Sequence, residues 1–181
     1  MESLPQVFLQ ATIAVYRQHK DWADKALAQL DDDAAFFRSL GPKSHSIAVT
    51  VKHVAGNLRS RWLDFLTTDG EKPDRHRDQE FIISDRDTRS SLMQAWEEAW
   101  GIVFKELSAL RPDDLLRPIT IRQEPLSVVQ AIQRSLAHTA YHTGQILYLC
   151  RLLKEGDWQW LTVPPGQSQK LNQEMAQRHS K

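Results

Sequence analysis

Apolar side chains recur at intervals of three and four along most of this chain, the spacing that gathers them on one face of a helix, and strand-like alternation is nearly absent. Phe8, Ala11, Val15, Trp22, Ala26 and Leu30 predict a first helix from Leu4 or Pro5 to about Leu30. Ser3 stands where an N-cap belongs and Pro5 in the first turn, where a missing N–H is harmless. Ile47, Val51, Val54, Leu58, Trp62 and Phe65 predict a second, capped by Ser44 or Ser46 and ended by Asp69-Gly70. Leu92, Ala95, Trp96, Ala99, Val103, Leu107 and Leu110 mark a third, from Asp87 or Thr88 to Arg111-Pro112. Val129, Ile132, Leu136, Ala140, Ile146 and Leu153 mark a fourth, from Leu126 to about Lys154, with Gly156 as its stop. At 1.5 Å per residue these helices are roughly 30 to 40 Å long, the dimensions of an all-α four-helix bundle.

The polar stretch 70–86 is too long for a tight turn between neighbouring helices, so it reads as a long crossover connection at the bundle end, while 117–124 reads as extended or a small hairpin. Trp158, Trp160, Leu161 and Val163 precede Pro164-Pro165-Gly166 in a Trp- and Pro-containing tail, 157–181, expected to pack its indoles on the bundle. At 181 residues the chain fits one domain over 1–181, long enough to bury a self-sufficient core.

Twenty-three Lys and Arg balance 23 Asp and Glu, so no net field draws the chain to nucleic acid or to an anionic membrane. No window approaches the 18 to 20 apolar residues of a membrane span, and the amino terminus lacks a basic leader region, so a cytoplasmic, unprocessed protein is expected. The one cysteine, Cys150, sits in the apolar run 146–153, which excludes a disulfide framework and a Cys-rich zinc site.

Chemistry concentrates in the histidines. His138 and His142 lie four apart in the fourth helix, so both imidazoles leave one face a turn apart, a chelating pair; two surface histidines at that spacing also arise by chance. His138-Thr139-Ala140-Tyr141-His142 lacks the glutamate of the His-Glu-x-x-His metalloproteases, so that mechanism does not transfer. In the second helix His53 lies beside Gly56 and Asn57, on a stripe flanking the apolar one. A mid-helix glycine costs about 1 kcal/mol against alanine, which points to close approach by another backbone or a bound molecule. The face bearing the histidine pair also carries Ala131, Ser135, Gln145 and Leu149, the first three small or polar; a solvated polar stripe accounts for the pattern equally well.

The strings from Ile47 to Trp62 (Ile47-Ala48-Val49-Thr50-Val51-Lys52-His53-Val54-Ala55-Gly56-Asn57-Leu58-Arg59-Ser60-Arg61-Trp62) and from His138 to Ile146 resemble the DinB-like superfamily of metal-dependent enzymes, in a small bacterial branch of undetermined function. The resemblance covers nearly the whole chain. It implies an up-up-down-down style of bundle, one divalent metal held by His53, His138 and His142, and a homodimer. Related members are thiol-dependent transferases or isomerases, so it further implies a low-molecular-weight thiol as co-substrate. Three imidazoles leave a coordination position open and do not choose between zinc, nickel, iron, cobalt and manganese; zinc and nickel are the first expectations.

The expected function is therefore a metal-dependent enzyme acting on a small molecule, a thiol-dependent S-transferase in the first place. A metal-dependent hydrolase and a non-catalytic dimeric metal-binding or interaction protein are the alternatives. Asn57, Gln145 and Arg59 are the candidate substrate-binding residues. Arg61, Arg75 and Arg77 can receive a carboxylate but read more simply as solvated surface charge. No catalytic acid or base is assigned: Asp64, Glu97, Glu98 and Glu106 each read as surface charge, with no spacing that ties them to the histidines.

Overall fold

The computed structural model describes residues 2–179. Met1 and the last two positions of the predicted tail, Ser180 and Lys181, lie outside the described residues. The chain is mostly helical: α1 (Leu4–Leu27), α2 (Asp33–Phe37), α3 (Ile47–Trp62), α4 (Arg89–Ala109), α5 (Val128–Leu153) and α6 (Ser168–His179), with one hairpin of β1 (Pro118–Ile121) and β2 (Glu124–Ser127). None of these helices is long and apolar enough to cross a membrane.

Local chemistry accounts for the helix starts. Ser46 Oγ accepts from the Val49 N–H at 3.2 Å, and Thr88 and Ser127 cap α4 and α5 in the same way. Leu126 therefore belongs to β2, and the fourth long helix begins two residues later than predicted. Over most of its length the stripe of α1 is turned by one residue from the predicted one. Leu9, Thr12, Tyr16, Ala23 and Leu27 are buried, Ala11 is exposed, and Phe8, Val15 and Trp22 are half-covered, while Ala26 and Leu30 at the far end are buried as predicted. The cause is Tyr16, an aromatic body with a polar tip. Fully enclosed, it meets the Trp62 ring edge-on at 5.7 Å and aims its hydroxyl at the Ile132 carbonyl.

Trp62, Trp96, Trp100, Tyr16 and Phe36 are the largest enclosed side chains, in a core between α1, α3, α4 and α5. Trp62 donates to Ser135 Oγ at 3.0 Å, joining α3 to α5, and Trp96 donates to Asp24 at 2.9 Å, joining α4 to α1. The helix directions follow from these and other contacts. Lys154 and Asp31 pair past the C-terminal ends of α5 and α1, so those two helices are parallel. Lys20 meets Glu97 and Arg89 meets the Leu27 carbonyl, so α4 runs against α1. Trp62 lies by Ser135 and His53 by His138, so α3 runs against α5. The order is up, down, down, up, not the up-up-down-down arrangement implied by the resemblance.

The reason lies in the connection 63–88. α3 ends at Trp62, seven residues before the predicted Asp69-Gly70 stop, and Asp64 then takes a left-handed φ of 50°. The chain next returns along the whole length of α3 instead of crossing the bundle end. Ser60 Oγ donates to the Gly70 carbonyl and accepts from the Lys72 N–H, Glu80 lies over Gly56, and Lys52 binds the Ile82 carbonyl and Asp87. α4 can then start beside the first half of α3 and pack along it in the same direction. Covered by α4, α5 and this strap, α3 is buried on almost every face.

The hairpin turn falls on Arg122 and Gln123, both with positive φ (57° and 66°), the conformation a two-residue hairpin loop requires and which neither side chain favours. Asp69 holds it. Its carboxylate accepts the N–H groups of Arg122 (2.8 Å), Gln123 (2.9 Å) and Glu71 (2.7 Å). Burial opposes its ionisation, but these donors keep the carboxyl well below the usual range. In the tail, Trp158 packs on the core as expected, whereas Trp160 stays partly exposed under the Arg151 guanidinium, and α6 buries no residue.

Asp69→Ala should cost about 2 kcal/mol, since it strips charge-assisted hydrogen bonds from a strained turn. Urea unfolding checks this; a loss below about 0.5 kcal/mol, the size of an ordinary surface substitution, would mean that the turn does not depend on that carboxylate.

Candidate metal centre

α3 presents His53, and α5 presents His138 and His142 from successive turns, so the three imidazoles meet in the seam between two antiparallel helices. Ring centroids are 5.3 Å (53 to 138), 5.0 Å (53 to 142) and 4.5 Å (138 to 142) apart. One nitrogen from each lies within 4.8 Å of the others. The Nε2 atoms of His53 and His138 are 3.2 Å apart. Two nitrogens each about 2.05 Å from a tetrahedral ion would be separated by about 3.3 Å.

The outer nitrogens fix which lone pairs face inward. His53 Nδ1 is 2.8 Å from Glu80 Oε2, and a carboxylate can only accept here, so Nδ1 carries the proton and the His53 Nε2 lone pair is free. His142 Nδ1 is 2.7 Å from Gln145 Oε1, which assigns its Nε2 in the same way. That Nε2 is buried and has no hydrogen-bond partner. Burial first, then the neighbouring histidines with Arg75 and Arg61, depress His138 to about 3. Burial depresses His142 to about 4, partly opposed by its bond to Gln145. Three converging imidazole nitrogens, the His142 Nε2 among them buried and without a hydrogen-bond partner, are a donor set that fits a transition metal.

Glu80 is the residue that sequence reasoning missed. It sits in a 3-10 turn at Arg77–Phe81, inside the connection, and is buried. Arg75, whose side chain is only 3% exposed, clasps its carboxylate with Nε at 2.8 Å and Nη2 at 2.9 Å. Burial would raise the Glu80 carboxyl, but the bonds from His53 and Arg75 outweigh it and hold it below its ordinary value. Gly56 was the signal. A Cβ there would lie 2.3 Å from Glu80 Oε1 and 2.8 Å from its Cδ, so the close approach that the glycine predicted is made by a carboxylate, not by a backbone or a bound molecule.

A cleft of about 210 Å³ opens on His53 and His138. Asn57 lines it, beside Ser135 and Tyr141. Gln145 does not. Its carbonyl orients His142, and its other side faces a separate groove with Tyr148 and Leu149. Arg59 does not line the cleft either: half-exposed, it pairs with Asp74 at 2.8 Å. Arg61, Arg75 and Arg77, read from sequence as solvated charge, do line the cleft. Cys150 is enclosed, and burial pushes its thiol up to about 12, in keeping with a packing role.

The sequence model of one family, described as protein of unknown function (DUF1572), matches residues 3–167, and the chain belongs to that family. No curated protein and no solved structure matches the chain.

Two outcomes follow from this geometry. Gly56→Ala, which in an exposed helix would stabilise by about 1 kcal/mol, should instead destabilise, because the Glu80 oxygen it strikes is held by His53 and Arg75. A higher midpoint of urea unfolding would contradict the packing described. Second, the unfolded chain binds protons at its histidines near 6.5, whereas folded His138 and His142 wait until about 3 and about 4. Between those values the unfolded state holds more protons, so the stability of chelator-treated protein should fall as pH drops below about 6.5. His138→Ala/His142→Ala should flatten that decline between pH 7 and 5, and an unchanged slope would refute the assignment.

Proposed function

We propose that this DUF1572 member is a metal-dependent enzyme acting on a small molecule, with His53, His138 and His142 as the ligands of one divalent transition metal, zinc or nickel in the first place. The observation that carries the reading is the convergence of three inward-facing imidazole nitrogens, two with tautomers fixed from outside by Glu80 and Gln145. Three protein ligands rather than four is the complement of a catalytic site, which keeps a position for substrate, and a carboxylate behind a ligating histidine is its usual support. The cleft reaching that position supports catalysis over a closed structural site.

A metal held there supplies Lewis acidity, making a thiol or a water nucleophilic near neutral pH. The protein's own groups then have separable tasks. Glu80 keeps His53 oriented and, clasped by Arg75, is not free to exchange protons with a substrate. Asn57, one turn after His53, offers an amide to orient a molecule in the cleft. We read the four long helices as a DinB-like four-helix bundle forming one domain over 1–181, cytoplasmic and homodimeric, and the reaction as transfer of a low-molecular-weight thiol to an electrophile. The direct route to hydrolysis is the same site without the thiol.

Elemental analysis of untagged protein purified without chelators tests the reading. About one transition metal per chain is expected, lost in both His53→Ala and His138→Ala/His142→Ala. Glu80→Gln should retain the site with metal affinity about 10- to 100-fold weaker. A wild type that takes up no zinc, nickel or manganese on incubation would end the enzyme reading. With metal bound, turnover of an electrophile only when a thiol is present favours the transferase, and turnover without thiol the hydrolase. Inactivity across broad panels of both would leave a non-catalytic metal-binding protein.

A further inference from the structure

Five arginines, Arg61, Arg75, Arg77, Arg122 and Arg134, line the cleft at the histidines, and among the described residues no carboxylate lines it. They arrive from separate places: the last turn of α3, the connection, the hairpin turn and the second turn of α5. In a chain whose charges balance overall, this is a local excess made by folding.

The nearby acids do not neutralise it. Glu71 alone serves three guanidiniums: Arg61 Nη1 at 2.7 Å, Arg122 Nε at 3.1 Å and Arg75 Nη1 at 3.3 Å. Glu80 is committed to Arg75 and His53. Asp69 spends its carboxylate on backbone N–H groups of the hairpin turn and the connection. Arg134 pairs with Glu124 and Arg77 with Asp78 in half-exposed or fully exposed contacts, of the kind that contribute little. Burial is the main cause that lowers the proton affinity of Arg61; the hydrogen bond to Glu71 opposes it, and the charges of Arg75 and Arg122 add to the lowering. Arg61 spends Nη1 on the Gly70 carbonyl and Glu71, Arg122 spends Nε, and Arg134 spends Nη1. Each retains N–H groups with no partner among the described residues. A guanidinium fork matches the paired oxygens of carboxylates and phosphates.

We propose that the cleft binds its small molecule through an oxyanion, a carboxylate or a phosphate, held by Arg61, Arg122 and Arg134, with the remainder of the molecule directed at His53 and His138. The role of the histidines rests on the proposed function; the anion subsite itself does not. Asp69, by fixing the hairpin turn, is the residue that positions Arg122.

Calorimetric titration with inorganic phosphate and with succinate, on chelator-treated and on zinc-loaded protein, tests the subsite. Saturable binding of at least one anion is expected in both forms, with the electrically neutral succinamide as a non-binding control. Whichever anion binds more tightly identifies the headgroup. Arg122→Gln/Arg134→Gln should weaken binding at least tenfold while leaving zinc stoichiometry unchanged; both side chains are half-exposed, so the fold survives their loss. Arg151→Gln, outside the cleft and over the Trp160 ring, should leave binding unchanged. No saturable binding in either form, or binding equal in the double variant or for succinamide, would overturn the proposal. Anion binding by a protein that takes up no metal would retain the subsite and discard the enzyme reading, so the two failures are distinct.

Discussion

The Glu80 carboxylate, pressed against Gly56 and gripped by both Arg75 and His53, is the contact on which the rest of this structure turns. A carboxylate so enclosed is costly to bury without compensation, and a buried guanidinium equally so; each is tolerable here only because the other is present with good geometry. The pair locks the connection to α3 at its midpoint. It also selects the His53 tautomer, so one contact decides both the path of the chain and the direction of a ligand lone pair.

The direction of α4 depends on that strap. A tight turn after Trp62 would send the chain back antiparallel; a connection of 26 residues (63–88) instead lies along α3 and delivers Thr88 beside its first half. Ser60, Gly56 and Lys52 provide three anchor points at about one-turn spacing, each on the face of α3 that α4 and α5 leave open. α3 is thereby buried nearly all round although it carries a histidine, an asparagine and two serine or threonine hydroxyls. Those polar groups are affordable in the interior because hydrogen bonds or the cleft account for most of them.

The same strap sets the electrostatics. It brings in Arg75 and Arg77, and Glu71, whose single charge is divided among three guanidiniums. The hairpin adds Arg122 through a turn that Asp69 holds in a conformation its residues do not favour. Histidines held neutral by burial and arginines held close by shared acids produce a site in which electron-pair donors and unspent positive charge share one cleft.

Helix existence was legible in the sequence because it rests on local terms: apolar spacing, Ser46 and Thr88 as caps, and breaks at glycine and proline. The histidine pair of α5 was legible for the same reason, since four residues in a helix fix a shared face whatever surrounds it. His53 could be singled out only beside Gly56, whose cost to the helix announced a neighbour without naming it. What the sequence could not yield is every feature made by a segment without periodicity. Glu80 behind His53, the shift of much of the α1 stripe around Tyr16, and the true setting of Arg59 depend on contacts between positions far apart in the chain; Gln145 turns to His142 within its own helix, a choice of partner that spacing leaves open. Spacing reports which side chains share a face, whereas which charge meets which, and therefore what is buried, neutral or free to bind, is decided only when the strap closes over α3.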